Sequence, residues 1–310
     1  MPELPDVVVY CESIAKRVLG HTLQKIRLQS PFLLRSVQPP LEDAHGKVVR
    51  DVRRIGKRIV LGLEPDYFLV LHLMIAGRLH WSDPPDVAEG RTASRGRYGS
   101  KKSATPFGKN ALVAFEFDNG TLTLTEAGTK KRASLYFVYG EGALLWHNPG
   151  GIEPLTSTFE EFKNALQREN HTIKRTLTDP KIISGIGNAY SDEILHRAKL
   201  SPFLMTRKMT DEQLRASFEA MRSLLTEWIE QLRKEAEKGF PENVTAFRPD
   251  FAVHGRFEKP CPVCRCPVQR IVYSENETNY CPRCQTGGKL LADRSLSRLL
   301  KDDWPKTIDD

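Results

Sequence analysis

Residues 261–284 read CPVCRCPVQRIVYSENETNYCPRC. Cys261 and Cys264 form one Cys-x2-Cys pair and Cys281 and Cys284 a second, with sixteen residues between the pairs. Tetrahedral zinc takes four soft ligands, and two facing turns of this kind supply them. The β-rich interval suits a hairpin, so the spacing predicts a four-cysteine finger over 251–290 holding one structural zinc ion. Disulfides and redox thiols are the alternatives, and disulfides are rare in a cytosolic chain. A site closed by four thiolates leaves no open position, so any chemistry lies elsewhere. Cys266 is spare, because Cys-x-Cys fits less well than either pair, and the distant Cys11 reads as a buried core thiol.

Just upstream, 240–251 (FPENVTAFRPDF) has the composition of a linker. Before it the pattern is helical. Thr158 with Glu161 and Thr210 with Gln213 fit capping boxes. The second opens a long helix toward Gly239, with Leu214, Phe218, Met221, Leu224, Leu225, Ile229 and Leu232 along one side. Between these, SGIGNAYSDEILHRAKLSP (184–202) places two glycines before a helix that begins at Asn188. Such a turn either packs helices tightly or presents backbone N–H groups to an anion. It is not a dinucleotide fingerprint, since the third glycine and the βαβ setting are missing. These features define a helical domain over 151–250.

The first 150 residues have a different texture. Residues 6–19 are spaced as a helix stopped by Gly20. Short β-rich runs follow from Thr22 to about Tyr139, among them TLQKIRL, KVVRDVRRI, RIVLGL, YFLVLHL, ALVAFEF, TLTLTEA and ASLYFVYG, with a hairpin signal at Asp118-Asn119-Gly120. The fold class is α+β multidomain, led by an antiparallel β-sandwich with an N-terminal helix. Within it, 90–109 carries six basic residues and no acidic one, as either a solvated insertion or a phosphate-contacting arm. Residues 291–310 are read as an amphipathic tail; Leu290, Leu291, Leu296, Leu299 and Leu300 suggest a short helix packed on the protein's own surface.

The chain begins MPELPD. Removing Met1 would leave Pro2 with a free secondary amine, a group that titrates near pH ~8 and forms Schiff bases with carbonyls. Glu3 beside it could move protons. The same hexapeptide is also an ordinary way to begin a chain. The 310 residues suit about two core-bearing domains, and a net charge of +7 suits a polyanionic partner. Glu3 and Asp6 stand where a signal peptide would be basic, and no apolar run approaches a membrane span. A cytoplasmic protein, nucleoid-associated if bacterial, without membrane contact is the expectation.

Taken in order, these pieces resemble the formamidopyrimidine-DNA glycosylase/endonuclease VIII family of base-excision repair enzymes, over nearly the whole chain. MPELPD resembles the family's opening, GKRIVL (56–61) its lysine-bearing turn, and HLMIAGRL (72–79) the strand and loop that probe the duplex. TIKRTLTDPKIISGIGNAYSDEILHRAKLSP (172–202) is very close to its helix–two-turn–helix, and the four-cysteine hairpin to its zinc finger. The resemblance implies a bifunctional glycosylase/abasic-site lyase acting on damaged duplex DNA as a monomer, with no obligate protein partner. It makes Pro2 the nucleophile, Glu3 the proton shuttle and Lys57 the phosphate holder. It places His72, Met74, Ile75, Lys130, Lys131, Arg132, Asn188 and Asn276 at the DNA, and zinc on Cys261, Cys264, Cys281 and Cys284.

The chain departs from the family in at least four places. Asn276 stands where the zinc hairpin carries arginine, and lacks its charge and bidentate fork. Ile75 takes the place of the wedge methionine, with Met74 beside it. EAGTKKRASL (126–135) replaces the gap-filling segment and offers no aromatic wedge; Lys130, Lys131 and Arg132 either substitute in part or form a plain basic strand end. The segment before the finger is short for a loop covering 8-oxoguanine, so that lesion is not assigned. The alternative function is a damage- or abasic-site-binding protein with little or no base excision.

Overall fold

The computed structural model describes residues 1–84, 108, 110–241, 248–273, 276–292, 298–299 and 306–308. Apart from Gly108, the basic stretch 90–109 lies outside these residues, as do most of the tail and the side chain of Asn276.

Helix α1 (Leu4–Val18) opens the chain with proline in its first turn, Asp6 near its N-terminus and Lys16 and Arg17 near its end, the polarity that complements the helix dipole. Its stripe of Val7, Tyr10, Ile14 and Val18 is fully buried. Eight strands follow: β1 (Thr22–Leu28), β2 (Lys47–Ile55), β3 (Arg58–Leu63), β4 (Tyr67–His72), β5 (Gly77–Ser82), β6 (Ala111–Phe117), β7 (Gly120–Glu126) and β8 (Ser134–Tyr139). They pair antiparallel in the order β5-β7-β6-β1-β2-β3-β4-β8. β1 and β2 share only the pairs Thr22–Val48 and Leu23–Lys47, so the sheet turns there into two halves. Both halves feed one core: Leu79, Val113, Phe115 and Leu124 from the first meet Ile59, Leu61, Leu69 and Phe137 from the second. This is the antiparallel sandwich the sequence implies. Each fully buried Leu or Phe contributes roughly 1.5–3 kcal/mol. A short helix, α2 (Glu141–Leu145), closes this lobe.

Strand β5 is not among the runs legible in the sequence. The turn before it explains why it forms. Gly77 N–H donates to the Leu73 carbonyl at 2.9 Å, and a Cβ at Gly77 would land on that carbonyl. Only glycine lets the chain reverse this tightly.

The helical lobe comprises α3 (Phe159–Gln167), α4 (Ile173–Thr178), α5 (Asn188–Arg197) and α6 (Asp211–Ala236). Thr158–Glu161 and Thr210–Gln213 form the two capping boxes. The expected stripe of α6 is buried except Phe218, which packs at the edge of the core. α6 lies against both α5 and α1 and so joins the lobes. Residues 248–251 are not linker in character. Arg248 pairs with buried Asp6 at 3.0 Å and stacks on Trp228, and Phe251 is 1 % exposed. The closing unit is the hairpin β9 (Gln269–Tyr273) and β10 (Asn276–Tyr280), followed by α7 (Pro282–Thr286).

Candidate nucleic-acid cleft and the Glu3–Lys57 site

A cleft of about 880 Å³ lies where the sandwich, the helical lobe and the zinc hairpin meet. Met1, Lys57, Lys174, Arg175, Asn188, Phe203 and Glu277 are among its lining residues. Pro2, the next residue in the chain, is buried. Glu3, 3 % exposed, turns its carboxylate onto the start of α5. Oε2 accepts from Gly187 N at 2.6 Å and Tyr190 N at 3.2 Å, and Oε1 from Ala189 N at 2.9 Å. A carboxylate is the natural partner of unpaired amides at a helix N-terminus. Glu3 N–H in turn donates to Asp6 Oδ2 at 2.9 Å, fixing the first turn of α1.

Lys57 comes from the turn between β2 and β3. A Cβ built on Gly187 would stand 2.5 Å from Lys57 Nζ and equally close to Glu3 Cδ, so both charged ends crowd this glycine without closing an ion pair. Burial holds the Lys57 ammonium below its usual pKa, while Glu3 pulls it upward. Burial likewise lowers the Met1 amine, opposed by Glu3 and reinforced by Arg78. Arg54 braces the turn from below. Its guanidinium donates to Gly56 O at 2.6 Å, to Ser184 Oγ at 3.2 Å and to the Glu153 carboxylate, tying one lobe to the other.

The remaining candidates divide into groups. His72 sits across from Arg58 in the β3–β4 ladder. Its pKa is lowered to about 4, by burial first and then by Arg58 and Lys57, so it is neutral near pH 7. The turn holding Met74 and Ile75 joins β4 to β5, and 127–133 joins β7 to β8. Gly77 pairs with Glu126 and His72 with Ser134, so the two connections run side by side at one end of the sandwich. Ile75 is 54 % exposed at the tip and Met74 adopts φ +52°, while Arg78 donates to the Ile75 and Gly77 carbonyls. In the companion loop, buried Glu126 accepts the amides of Arg132 and Ala133, and Lys131 donates back to the Glu126 carbonyl. Lys130 is exposed.

Asn188 is the first residue of α5 and lines the cleft. Three amides at the start of α5 are already taken by Glu3. The Asn188 side chain donates to the Glu277 carbonyl at 2.7 Å and so docks the zinc hairpin onto the helix. The anion suited to this turn comes from the chain itself.

The four thiols Cys261, Cys264, Cys281 and Cys284 lie within 4.8 Å of one another. Zinc–sulfur bonds of about 2.3 Å in a tetrahedron place sulfurs roughly 3.8 Å apart. The pairs Cys261–Cys284 at 3.9 Å and Cys264–Cys281 at 3.3 Å bracket that spacing, so the set fits a structural zinc. Cys266 turns instead toward the Pro267 carbonyl, and Cys11 is buried in the core, where its pKa is pushed up to about 12. Beneath the hairpin lies a polar network the sequence reading missed. Buried Asp192 takes Lys174 Nζ and His254 Nδ1 (2.8 Å), and Asn279 reaches it at 3.4 Å. Arg175 and Glu277 in the cleft were also missed; the only sequence signal was their placement beside the glycine turn and the finger.

Three family models match in order: Formamidopyrimidine-DNA glycosylase N-terminal domain over 1–131, Formamidopyrimidine-DNA glycosylase H2TH domain over 151–237, and Zinc finger found in FPG and IleRS over 258–287. A formamidopyrimidine-DNA glycosylase of Thermus thermophilus is 31 % identical over 298 residues, covering 93 % of this chain and all of the relative. An uncharacterized formamidopyrimidine-DNA glycosylase-like protein of Mycobacterium tuberculosis is 42 % identical over 151 residues, 49 % of this chain and 94 % of that protein. Lactococcus lactis Fpg in complex with abasic-site DNA shares the fold at a TM-score of 0.74 and 21 % identity, covering 92 % of this chain and 99 % of that one. With the domain order, the thiol cluster and these likenesses in agreement, the chain belongs to the formamidopyrimidine-DNA glycosylase/endonuclease VIII family.

Proposed function

We propose that this protein is a bifunctional DNA glycosylase and abasic-site lyase of base-excision repair. The observation that carries the reading is that Glu3 and Lys57 both converge on Gly187, with Met1, Lys57 and Gly187 on the cleft wall. Loss of Met1 would free the Pro2 nitrogen there. Its lone pair forms a bond to C1′ of the damaged nucleotide as the bond from C1′ to the base breaks, the base leaving with a proton. Glu3 supplies a proton to the sugar ring oxygen as the ring opens to an iminium. The iminium acidifies C2′; loss of that proton expels the 3′ oxygen and cuts the strand, leaving a 5′-phosphate. Water then hydrolyses the iminium and restores the amine. Lys57 contributes positive charge toward the adjacent phosphate. Reaching the site requires the nucleotide to leave the stack, which costs a few kcal/mol, least for a damaged base.

The relatives' names and the abasic-site complex of the Lactococcus protein support damaged duplex DNA as substrate. The zinc, one ion on the four cysteines, would hold the hairpin in shape and take no part in the chemistry. A monomer without an obligate protein partner, working in the cytoplasm, completes the reading. No described helix is long and apolar enough to cross a membrane. A second reading, damage binding without excision, is favoured by asparagine at 276 and by the missing aromatic wedge in 126–135.

The test compares two preparations on an abasic duplex, one confirmed by intact mass to begin at Pro2 and one retaining Met1. Only the first should cut. Equal cutting by both would overturn the assignment of the amine.

A further inference from the structure

The zinc hairpin puts an acid into a cleft suited to a polyanion. Glu277 is the one acidic side chain among the described lining residues, which otherwise present Lys57, Lys174 and Arg175. Its carboxylate is held in place: Oε1 accepts from Asn279 Nδ2 at 3.0 Å, and Asn279 is itself buried on Asp192. The Glu277 backbone carbonyl is pinned by Asn188 at 2.7 Å. The nearby Lys174 charge is already committed to Asp192. Among the described residues no lysine or arginine forms an ion pair with Glu277. A carboxylate oriented in this way by a buried network has nothing of its own to neutralise.

We propose that Glu277 is a release residue: its charge opposes phosphate drawn to the Lys57 wall and loosens the hold on the cut strand. This rests on the lyase reading above. A 5′-phosphate made by strand cutting is a monoester carrying about −1.5 to −2 charges near pH 7, against −1 for an internal diester, so the repulsion grows when the strand is cut. The Debye length at physiological salt is about 8 Å, so charges lining the same cleft are only partly screened from one another.

Glu277→Gln removes the charge and keeps the acceptor for Asn279, and Glu277→Asp keeps the charge. Binding is measured to nicked duplexes bearing either a 5′-phosphate or a 5′-hydroxyl, which needs no catalysis. Glu277→Gln should bind the 5′-phosphate product about 3-fold or more tighter at low salt, gain less on the 5′-hydroxyl product, and lose the advantage at high salt. Glu277→Asp should behave as the parent. In turnover, Glu277→Gln should show a steady state slowed relative to its first turnover. Equal gains on both products, no gain, or weaker binding would overturn the proposal. Failure of both proteins to cut an abasic duplex would instead overturn the lyase reading, and the binding comparison would still decide the role of Glu277.

Discussion

Glu3 and Lys57 face each other over the bare backbone of Gly187, and no side chain fits between them. A Cβ at 187 would stand 2.5 Å from the Glu3 carboxylate and from Lys57 Nζ. Glu3 is also bound to three amides of the same turn. Gly187→Ala therefore has to push one charged group aside. Displacements of about 1 Å cost roughly 10²-fold in rate where catalysis depends on positioning. Abasic-strand cutting should fall by about that factor while zinc content stays unchanged. Near-parental cutting would show that the close approach is dispensable.

His72 predicts an acid-sensitive fold. Its pKa is about 4 in the folded protein against about 6.5 when unfolded. Between those values the unfolded chain binds the extra proton, so stability falls as pH drops from 6.5 toward 4 and then levels. The penalty is at most about 3 kcal/mol. His72→Gln should flatten this limb, read as a smaller difference between urea midpoints at pH 7 and pH 4.5. An unchanged difference would place the acid sensitivity elsewhere.

Much of this fold was legible because its local signals and its packing agree. TLQKIRL, KVVRDVRRI and RIVLGL match β1, β2 and β3 residue for residue. Both capping boxes stand where helices start. What was hidden depends on partners remote in sequence. The glycine turn at 185–187 looked ready for an anion, yet only the fold reveals that Glu3, 184 residues away, supplies it. Arg248 and Phe251 read as linker because their partners, Asp6 and Trp228, are far off in the chain. Glu277 looked like one more polar residue of a hairpin until the fold placed it in the cleft lining, its backbone held by Asn188 and its carboxylate by Asn279.

Zinc should hold the hairpin against α5. Cys281→Ser, or chelation, should release the Asn188–Glu277 contact and weaken duplex binding, followed by anisotropy and metal analysis. Cys266→Ser should keep the metal, since that thiol points to the Pro267 carbonyl. Metal loss from Cys266→Ser equal to that from Cys281→Ser would mean that the ligand set is wrong.

Asn276→Arg adds a cation to the strand that borders the cleft. It should tighten duplex binding and steepen the dependence of log K on log salt by about 0.9, the contribution of one phosphate. An unchanged slope would show that this position does not meet the DNA backbone.

The central claim is that the Pro2 nitrogen becomes covalently bound to DNA. The direct measurement is borohydride trapping on a duplex with one abasic site, using protein confirmed by mass to begin at Pro2. The account predicts a protein–DNA band that survives denaturation and disappears in Pro2→Gly, while that variant still binds the duplex. A band of equal strength in Pro2→Gly, or no band from the parent despite tight binding, would contradict it.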